Sequence, residues 1–404
     1  MWSHKIKNNV IYINTFFYLL SDEGKELLAF LVSNRSAVLF EEQLYLNSCE
    51  DVKYVLNLGS YPTNASYKLY MRLAKCYVLL RRKGDAMQVI MTAKKLNLPN
   101  WEEKLKEMEV LINELSTCKG EQDQVDLFNN KFLSVNKLYP SAGSFVEFDS
   151  DQHQGRYAKA TCDIEPGTIV LQETPHCLIV SKSHLTTNCL NCGISNKNLY
   201  PCGKCIEVGF CSIECQNEAL TYHKYECPYI KELYESDLSI NCLMALRLVT
   251  QQNFDFFWKN KNSLNILKNE VYVNSDYRRV YNLCTNIELR PKEELIILTI
   301  MAIYLLHFLK FMIYFPGETN LDVLTNRESY VGSLILRHIQ LLQFNAHEIS
   351  ELRNIPVVNP IDINYEASHV GAALYPTLAL FNHSCEPGVI RSVTVINLRV
   401  VLID

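Results

Sequence analysis

Hydrophobic and polar positions change their period along the chain, which predicts a mixed α+β fold. Residues before about Gly120 have a helical pattern, and it continues as an amphipathic run from Trp101 to Leu115. A polar stretch from Ser116 to Gln124 follows and is typical of a linker. The first 120 residues are therefore predicted to form a helical domain of their own.

This helical part contains an internal repeat. Arg35-Ser36-Ala37 with Phe40 matches Arg72-Leu73-Ala74 with Tyr77, at an offset of 37 residues. Small residues at fixed positions let paired helices approach closely, and the pattern resembles the tetratricopeptide (TPR) repeat, whose period is about 34 residues. Two unrelated amphipathic helical hairpins are the alternative, since only two copies are visible and about three are usually needed.

Near Gly155 the pattern changes to that of short strands. Tyr157–Thr161 and Thr168–Leu171 flank a Pro166-Gly167 pair that suits a type II turn, so we predict a β-hairpin. Helical periodicity returns from Tyr229 to about Leu352.

The end of the chain changes once more. Gly371 to Pro376 precedes a polar motif at residues 382–385, and Val393–Leu402 is predicted to form one strand.

Two apolar stretches bear on the compartment. Val10–Leu20 superficially resembles a signal peptide, but Asn14 and Thr15 interrupt it and no small-residue cleavage site follows. Leu295–Phe315 is long enough to span a membrane, but a lysine in the middle of a membrane is costly. We therefore expect a soluble protein in which the second stretch is a helix buried all round.

The stretch from Cys189 to Cys227 carries the clearest chemical signal. Seven cysteines and one histidine occur in four pairs, Cys189-x2-Cys192, Cys202-x2-Cys205, Cys211-x3-Cys215 and His223-x3-Cys227. Such spacing lets a tight turn direct two ligands to one zinc ion, and eight ligands suit two tetrahedral ions. A disulfide cluster or scattered core cysteines are the alternative.

The four pairs are too close together for neighbouring sets of four to fold separately. We therefore predict an interleaved arrangement, in which the first and third pairs bind one ion and the second and fourth pairs bind the other. With four protein ligands each, both ions are predicted to be structural. The closing His-x3-Cys, with Phe210 before Cys211, resembles the MYND zinc finger, whose members dock proline-rich peptides and partner proteins.

Composition excludes some functions. The 404 residues are 48% hydrophobic and 21% charged, which is ordinary for a soluble globular protein of two to four domains. A net charge of −5 gives no electrostatic footprint for nucleic acid. Zinc-binding thiols imply a reducing compartment.

A second resemblance involves the polar motif near the end. Asn382-His383-Ser384-Cys385-Glu386-Pro387, preceded by Leu374-Tyr375-Pro376, is similar to the signature of the SET methyltransferase domain. With the Gly155-led strands upstream and the finger between, the chain resembles the SMYD family, in which a MYND finger interrupts a split SET domain. The TPR-like repeats indicate the TPR-bearing branch of that family, and the resemblance covers residues 25–404.

The resemblance implies a domain order. TPR-like repeats would occupy residues 1–120 and the split SET domain residues 140–404. The MYND finger at 189–227 and a helical insert at 228–352 would interrupt the SET domain.

The resemblance also implies a binding site for S-adenosylmethionine. The turn Gln154-Gly155-Arg156 resembles the loop whose backbone clasps the cofactor. Asn345 resembles a cofactor-contacting asparagine, and Asn382 and His383 resemble the pair that binds the adenine and methionyl portions. Amides and imidazole supply directional hydrogen bonds for such a ligand. The alternative for each residue is a satisfied polar core position.

Some positions depart from the family pattern. Gly155-Arg156-Tyr157 stands where Gly-x-Gly is typical, and Gly388 stands where asparagine often follows Pro387. The family's catalytic tyrosine, and the cysteines that join Cys385 at a third zinc, have no counterpart before Asp404. We therefore name no catalytic residue and expect a chain truncated at its C-terminus. We expect this chain to bind S-adenosylmethionine weakly at best and to transfer methyl groups undetectably.

Two functions follow from the resemblance. The first is a protein-lysine N-methyltransferase that transfers a methyl group from S-adenosylmethionine to histone or non-histone lysines. The second is a non-catalytic adaptor whose TPR and MYND surfaces recruit proline-rich proteins or transcriptional corepressors. Either function is expected in nucleus and cytoplasm, without direct contact with nucleic acid or a membrane.

Overall fold

The computed structural model describes residues 22–96, 106, 134–195, 198–265, 270–317, 323–355, 364–394 and 397–402. These residues form helices and strands, which confirms the mixed α+β class. They fall into two compact units. The first contains the helices before residue 97 with residues 198–206 and 211–213, and the second contains the rest from residue 134 onward. The linker Ser116–Gln124, the stretch Val10–Leu20 and, apart from Lys106, the predicted helix Trp101–Leu115 lie outside the described residues.

Within its described residues the first unit contains four helices, α1 (Asp22–Glu41), α2 (Tyr45–Leu58), α3 (Tyr67–Leu79) and α4 (Lys83–Lys95). Consecutive helices pack against each other, around a core in which Ala74 and Ala93 are completely buried. Arg72 of α3 donates hydrogen bonds to Ser36 Oγ of α1 at 2.7 Å and to Ser33 O at 3.1 Å. Two successive hairpins agree with both alternatives, so the TPR interpretation stays a prediction.

A buried ion pair organises the same unit. Arg35 donates to both carboxylate oxygens of Asp51, at 2.8 and 2.7 Å, and the Asp51 side chain is 0% exposed. The Tyr200 hydroxyl donates to the same carboxylate at 3.1 Å, while its ring stacks on Tyr54 with centroids 4.0 Å apart. Since Tyr200 belongs to the segment 198–206, the helices hold that segment by a charge-assisted network rather than by apolar contact alone.

The described part of the second unit contains two three-stranded antiparallel sheets and a separate hairpin. Two further strands of two residues each, β5 (Tyr200–Pro201) and β6 (Gly209–Phe210), lie within the 189–227 stretch. The hairpin pairs β1 (Val146–Asp151) with β2 (Gly155–Ala160). One sheet has the order β3-β10-β9, formed by Ile169–Glu173, Asn397–Leu402 and Val389–Thr394. The other has the order β4-β8-β7, formed by Cys177–Val180, Asn364–Leu374 and Ala346–Ile355.

The predicted hairpin between Tyr157–Thr161 and Thr168–Leu171 is wrong. Strand β2 pairs with the preceding β1 across a turn that ends at Gly155, whose φ of +67° favours glycine. Strand β3 pairs instead with β10, more than 200 residues later. Alternation of apolar residues identifies a strand but not its partner, and Pro166-Gly167 also suits a turn between different sheets. Likewise, Val393–Leu402 is not one strand but parts of β9 and β10.

Seven helices follow the first strands of this unit, at Ile213–Glu226 (α5), Ile230–Glu235 (α6), Ile240–Thr250 (α7), Phe254–Asn260 (α8), Tyr277–Tyr281 (α9), Lys292–Phe311 (α10) and Asn326–Asn345 (α11). Helix α11 begins at a capping box formed by Thr325 and Glu328. It ends where β7 begins, so the helical insert leads directly into a strand at Asn345. Helices α7, α10 and α11 supply much of the core.

The expectation that the Leu295–Phe315 stretch is buried all round is wrong. Helix α10 buries Leu298, Leu305 and Leu309, but Ile296, Ile297 and Ile300 on other faces are 58–61% exposed. By length and composition alone the helix could cross a membrane, a property that core helices of soluble proteins share. Lys310 within it is buried and forms an ion pair with Glu328 of α11 at 3.2 Å. The helix is thus apolar all round yet packed on one side.

Asp51→Ala should destabilise the first unit, because it leaves the Arg35 guanidinium unpaired. The expected loss of unfolding free energy is about 3 kcal/mol. Hydrogen exchange of peptides within residues 22–96 and 198–206 of the full chain measures it. The control is Asp85→Ala, which removes an Asp85–Arg82 pair that is 39–49% exposed and should cost under about 1 kcal/mol. Equal losses in the two variants would contradict a role for the buried network.

Candidate metal centre and cofactor site

The finger places its eight predicted ligands in two groups. Within each group the ligand atoms all lie within 4.8 Å of one another. The groups are Cys189, Cys192, Cys211 and Cys215, and Cys202, Cys205, His223 and Cys227. They are the same interleaved sets that the spacing predicts.

Local backbone structure explains how each Cys-x2-Cys pair turns toward one point. The Gly193 amide donates to the Cys189 carbonyl at 2.8 Å, which closes a tight turn around the first pair. At the second pair the Lys204 amide donates to the Cys202 sulfur at 3.5 Å. An amide directed at a cysteine sulfur stabilises the thiolate, which is the form that binds a metal. The second turn therefore favours the thiolate form of Cys202.

Helix α5 joins the two groups. It carries Cys215 near its start and His223 near its end, so one rigid element contributes to both. The His223 ring packs edge-on against Phe210 of the short strand Gly209–Phe210, with centroids 5.8 Å apart. That aromatic contact limits the orientation of the imidazole, and Phe210 thus has a physical role next to its cysteine neighbour.

The C-terminal end of α5 is fixed in the second unit. Glu226 accepts hydrogen bonds from Arg247 at 3.0 and 2.5 Å, and both side chains are at most 3% exposed. Arg247 also donates to the Leu178 carbonyl at 2.7 Å. A buried charge pair whose carboxylate accepts from the arginine at both oxygens fixes geometry more than it adds stability. It holds the helix that carries His223 against strand β4.

These donor sets fit zinc. Each group offers three or four thiolates, with one imidazole in the second, and soft ligands in fours select a tetrahedral ion. In each group four ligand atoms lie within 4.8 Å of one another, whereas a disulfide joins only two sulfurs, so the grouping favours metal binding over the disulfide alternative. Because each group already supplies four ligands, no coordination position is open for catalysis. The groups fit structural zinc ions.

The candidate cofactor residues come together in the second unit, from segments far apart in sequence. The Asn382 side-chain amide donates to the Gln154 carbonyl at 3.1 Å, which joins the motif near the end of the chain to the β1–β2 turn. Arg156, two residues further on, donates to the Asn282 carbonyl at 2.7 Å. At Gly155 no atom lies within 4 Å of the position a Cβ would take, so the turn backbone is open on that side.

Asn345 lies at the end of α11 and is 5% exposed. Its side-chain nitrogen donates to the Cys284 carbonyl at 3.0 Å and to the Leu341 carbonyl at 2.7 Å. Because this nitrogen already donates within the fold, a cofactor would have to contact other atoms of Asn345. The bonds link Asn345 to the 282–284 segment that Arg156 also contacts.

His383 is exposed, and its Nε2 lies 3.6 Å from the sulfur of Cys385. Its position next to Asn382 keeps it beside the Gln154 turn. The six candidate residues therefore occupy one region, although Gln154, Gly155, Asn382 and His383 are exposed in it. An exposed set of amide, imidazole and backbone groups fits a polar ligand such as S-adenosylmethionine.

Three residues that the sequence did not identify hold this region in place through hydrogen bonds. Glu173 and Tyr272 both bind the turn that precedes Asn382, as the Tyr272 hydroxyl donates to the Pro376 carbonyl at 3.1 Å. Asn282 supplies the carbonyl that receives Arg156. Nothing local in the sequence marks these residues, because their partners are up to 205 positions away.

Comparison with known proteins agrees with this geometry. The family model described as MYND finger matches residues 189–227. Protein-lysine N-methyltransferase SMYD4 of Danio rerio is 25% identical over 93% of this chain and 51% of its own length. The Homo sapiens protein of that name is 24% identical over 88% of this chain and 54% of its own length. N-lysine methyltransferase SMYD2 of Bos taurus is 25% identical over 59% of this chain and 46% of its own.

The paired ligand groups and the matched finger define a MYND-type zinc-finger protein. The similarity outside the finger extends this result, since the chain resembles SMYD-family proteins, and SMYD4 among them over most of its length. This confirms the resemblance inferred from the motifs. The chain spans about half the length of the SMYD4 relatives it matches.

The purified chain should contain two zinc ions, which metal analysis by mass spectrometry will count. Cys202→Ser should lower the count to about one or less, because the finger couples both sites through α5 and metal binding drives its folding. The matched control is Cys162→Ser, which removes an exposed cysteine outside both groups and should leave the count unchanged. Less than one zinc in the unaltered chain would contradict the assignment.

Proposed function

We propose that this protein is a protein-lysine N-methyltransferase that uses S-adenosylmethionine. The observation that best supports the proposal is the hydrogen bond from the Asn382 side chain to the Gln154 carbonyl, by which the two motif segments contact each other. The names of the SMYD4 and SMYD2 relatives support the same reaction. The proposed substrate is a lysine side chain of a histone or non-histone protein.

Each candidate residue has a role that suits this reaction. Asn382 holds the Gln154-Gly155-Arg156 turn in place, and the open side of Gly155 lets a ligand approach the backbone. His383 and Asn382 offer polar atoms on the exposed side of that turn. When bound, S-adenosylmethionine supplies an electrophilic methyl group on its sulfonium. The acceptor amine must be neutral and in line with that methyl group, so positioning supplies much of the catalysis.

The zinc ions have a different role in this proposal. Their ligands form closed sets of four, so they stabilise the finger and do not act on the substrate. We propose that the finger and the first unit select protein partners, among them proline-rich or corepressor proteins, in nucleus and cytoplasm.

A non-catalytic adaptor is the second candidate, and exposed apolar side chains favour it. In the first unit Leu31, Val38 and Met91 are 50–58% exposed, and α10 exposes Ile296, Ile297 and Ile300. Apolar surface of this kind is common at sites of protein association. An adaptor would bind partners through these surfaces whether or not it binds S-adenosylmethionine.

Calorimetric titration of the 404-residue chain with S-adenosylmethionine separates the candidates. Asn382→Ala should weaken binding by about tenfold or more, since it removes one hydrogen bond and releases the turn. The control Asn260→Ala removes an amide that binds only within α8, at the Phe256 carbonyl, and should not change affinity. Binding that is unaltered by Asn382→Ala would contradict the proposed site.

Transfer of a radiolabelled methyl group to histones and to cell lysate tests the reaction itself. The longest product of the same gene should label protein, and its Asn382→Ala variant should label it at least about tenfold more slowly. Absence of transfer, together with partner recovery that Asn382→Ala leaves unchanged, would favour the adaptor.

A further inference from the structure

Glu173 is a buried acid at the end of strand β3 whose carboxylate is fully used. Its oxygens accept hydrogen bonds from the Thr377 amide at 2.9 and 3.1 Å and from the Leu378 amide at 2.9 Å. Glu173 is 2% exposed, Thr377 is 0% exposed and Leu378 is 6% exposed. Bonds from neutral amides to a carboxylate in a water-free position are stronger than those between neutral groups.

The segment that Glu173 binds is the short 3₁₀ turn Leu378–Leu380. The Thr377 side chain makes no capping bond at the start of this turn, so the Glu173 carboxylate supplies the acceptor that a cap would provide. Tyr272 holds the same segment from the other side, through the Pro376 carbonyl at 3.1 Å. The turn is thus fixed by the Glu173 carboxylate, which accepts hydrogen bonds from it, and by the Tyr272 hydroxyl, which donates one to Pro376 before it.

This turn leads directly into the candidate cofactor motif. Phe381, which closes the turn, packs edge-on against Phe148 of strand β1, with ring centroids 5.8 Å apart. The next residue, Asn382, reaches the Gln154 carbonyl. A rotation of the turn would therefore move Phe381 and Asn382 away from the hairpin whose turn carries Gly155.

We propose that Glu173 is a positioning residue for cofactor binding, whose carboxylate fixes the 377–378 turn so that Asn382 and His383 face the Gln154-Gly155-Arg156 turn. This inference rests on the proposed function. Glu173 does not touch the cofactor in this role and acts only through the backbone of the turn.

The charge state of Glu173 gives the role a signature. Burial raises the pKa of Glu173 from its ordinary value near 4.5 to about 7, against the amide bonds from Thr377 and Leu378, which lower it. The phenols of Tyr272 and Tyr375 face Glu173, and burial, followed by the charge of the Glu173 carboxylate, raises the pKa of both. Arg156 and Arg279 are the cations that act on Tyr272, and Arg391 is the cation that acts on Tyr375. Glu173 is thus the member of this cluster that titrates near neutral pH.

Affinity and stability should then depend on pH in opposite directions. Only the ionised carboxylate accepts all three amide bonds, so cofactor affinity should rise as pH rises through about 7. Because the folded-state pKa is raised, the contribution of Glu173 to stability is full below about 4.5 and is lost as pH rises through about 7. A residue with a purely structural role would not strengthen binding over the range in which it weakens the fold.

The experiment compares Glu173→Gln with Glu328→Gln in the full 404-residue chain. Glu328 is a matched control, because it is also a buried carboxylate of the second unit, accepts the Thr325 amide at 2.7 Å and lies away from the motif. Calorimetry with S-adenosylmethionine at about pH 6, 7 and 8 measures affinity. Hydrogen exchange of peptides covering residues 376–383 measures the turn, and thermal unfolding measures stability.

Glu173→Gln should weaken binding at about pH 8 by about tenfold and abolish its pH dependence. It should also raise hydrogen exchange in residues 376–383, whereas Glu328→Gln should lower the melting temperature without either effect. Glu173→Asp, which keeps a carboxylate, should recover part of the affinity. These results would support the inference.

Three results would overturn it. The first is that Glu173→Gln binds S-adenosylmethionine as tightly as the unaltered chain. The second is that both variants lose affinity in proportion to their melting temperatures. The third is an unaltered chain that does not bind S-adenosylmethionine, which overturns the proposed function too. In that case increased hydrogen exchange confined to residues 376–383 of Glu173→Gln would show that Glu173 fixes the turn but that this contact serves only the fold.

Discussion

Pairing of strand β4 with strand β8 is the constraint on which the second unit depends. Cys177–Val180 must align with Gly371–Leu374 across the whole finger and all the helices of the insert. The register brings backbones so close that a Cβ at Gly371 would lie 2.0 Å from the Ile179 carbonyl oxygen, so only glycine fits there. Once these strands pair, the chain after Leu374 returns beside β3, where Glu173 and Tyr272 can bind its turn.

The structure of the finger depends on metal ligands rather than on strand pairing. Its thiolates lie in short pairs that the sequence alone predicts, because ligand spacing and tetrahedral geometry are local properties. What the spacing does not reveal is how the finger is held. Glu226 at the end of α5 pairs with buried Arg247. In the first unit, separately, Tyr200 joins the Arg35–Asp51 pair. Both contacts bury a carboxylate, which costs free energy unless it is paired and hydrogen-bonded, and in each pair the arginine donates to both carboxylate oxygens.

The sequence predicted those parts of the fold that have a periodic hydrophobic pattern or a motif. The helical pattern of the first unit is an example of the former, and the grouping of the zinc ligands is an example of the latter. Strand partners could not be predicted, because β3 has the same apolar pattern whether it pairs with β2 or with β10. The sequence overestimates the burial of α10, because an apolar run does not reveal which faces of a helix pack against other elements. Ile300, for example, is apolar but remains exposed. Asn382 and His383 were identified through a resemblance. No motif identifies Glu173, which binds the turn before them. Its contact depends on the fold, which brings the end of β3 next to the 377–378 turn.

The central claim is that two distant segments, 154–156 and 382–383, form one cofactor site. Ultraviolet crosslinking of radiolabelled S-adenosylmethionine to the 404-residue chain, followed by mass spectrometry of its peptides, tests it most directly. The account predicts label on peptides from both segments, and competition by unlabelled S-adenosylmethionine on both together. Label confined to other parts of the chain, or label on one segment that persists when the other is altered by Asn382→Ala, would contradict it.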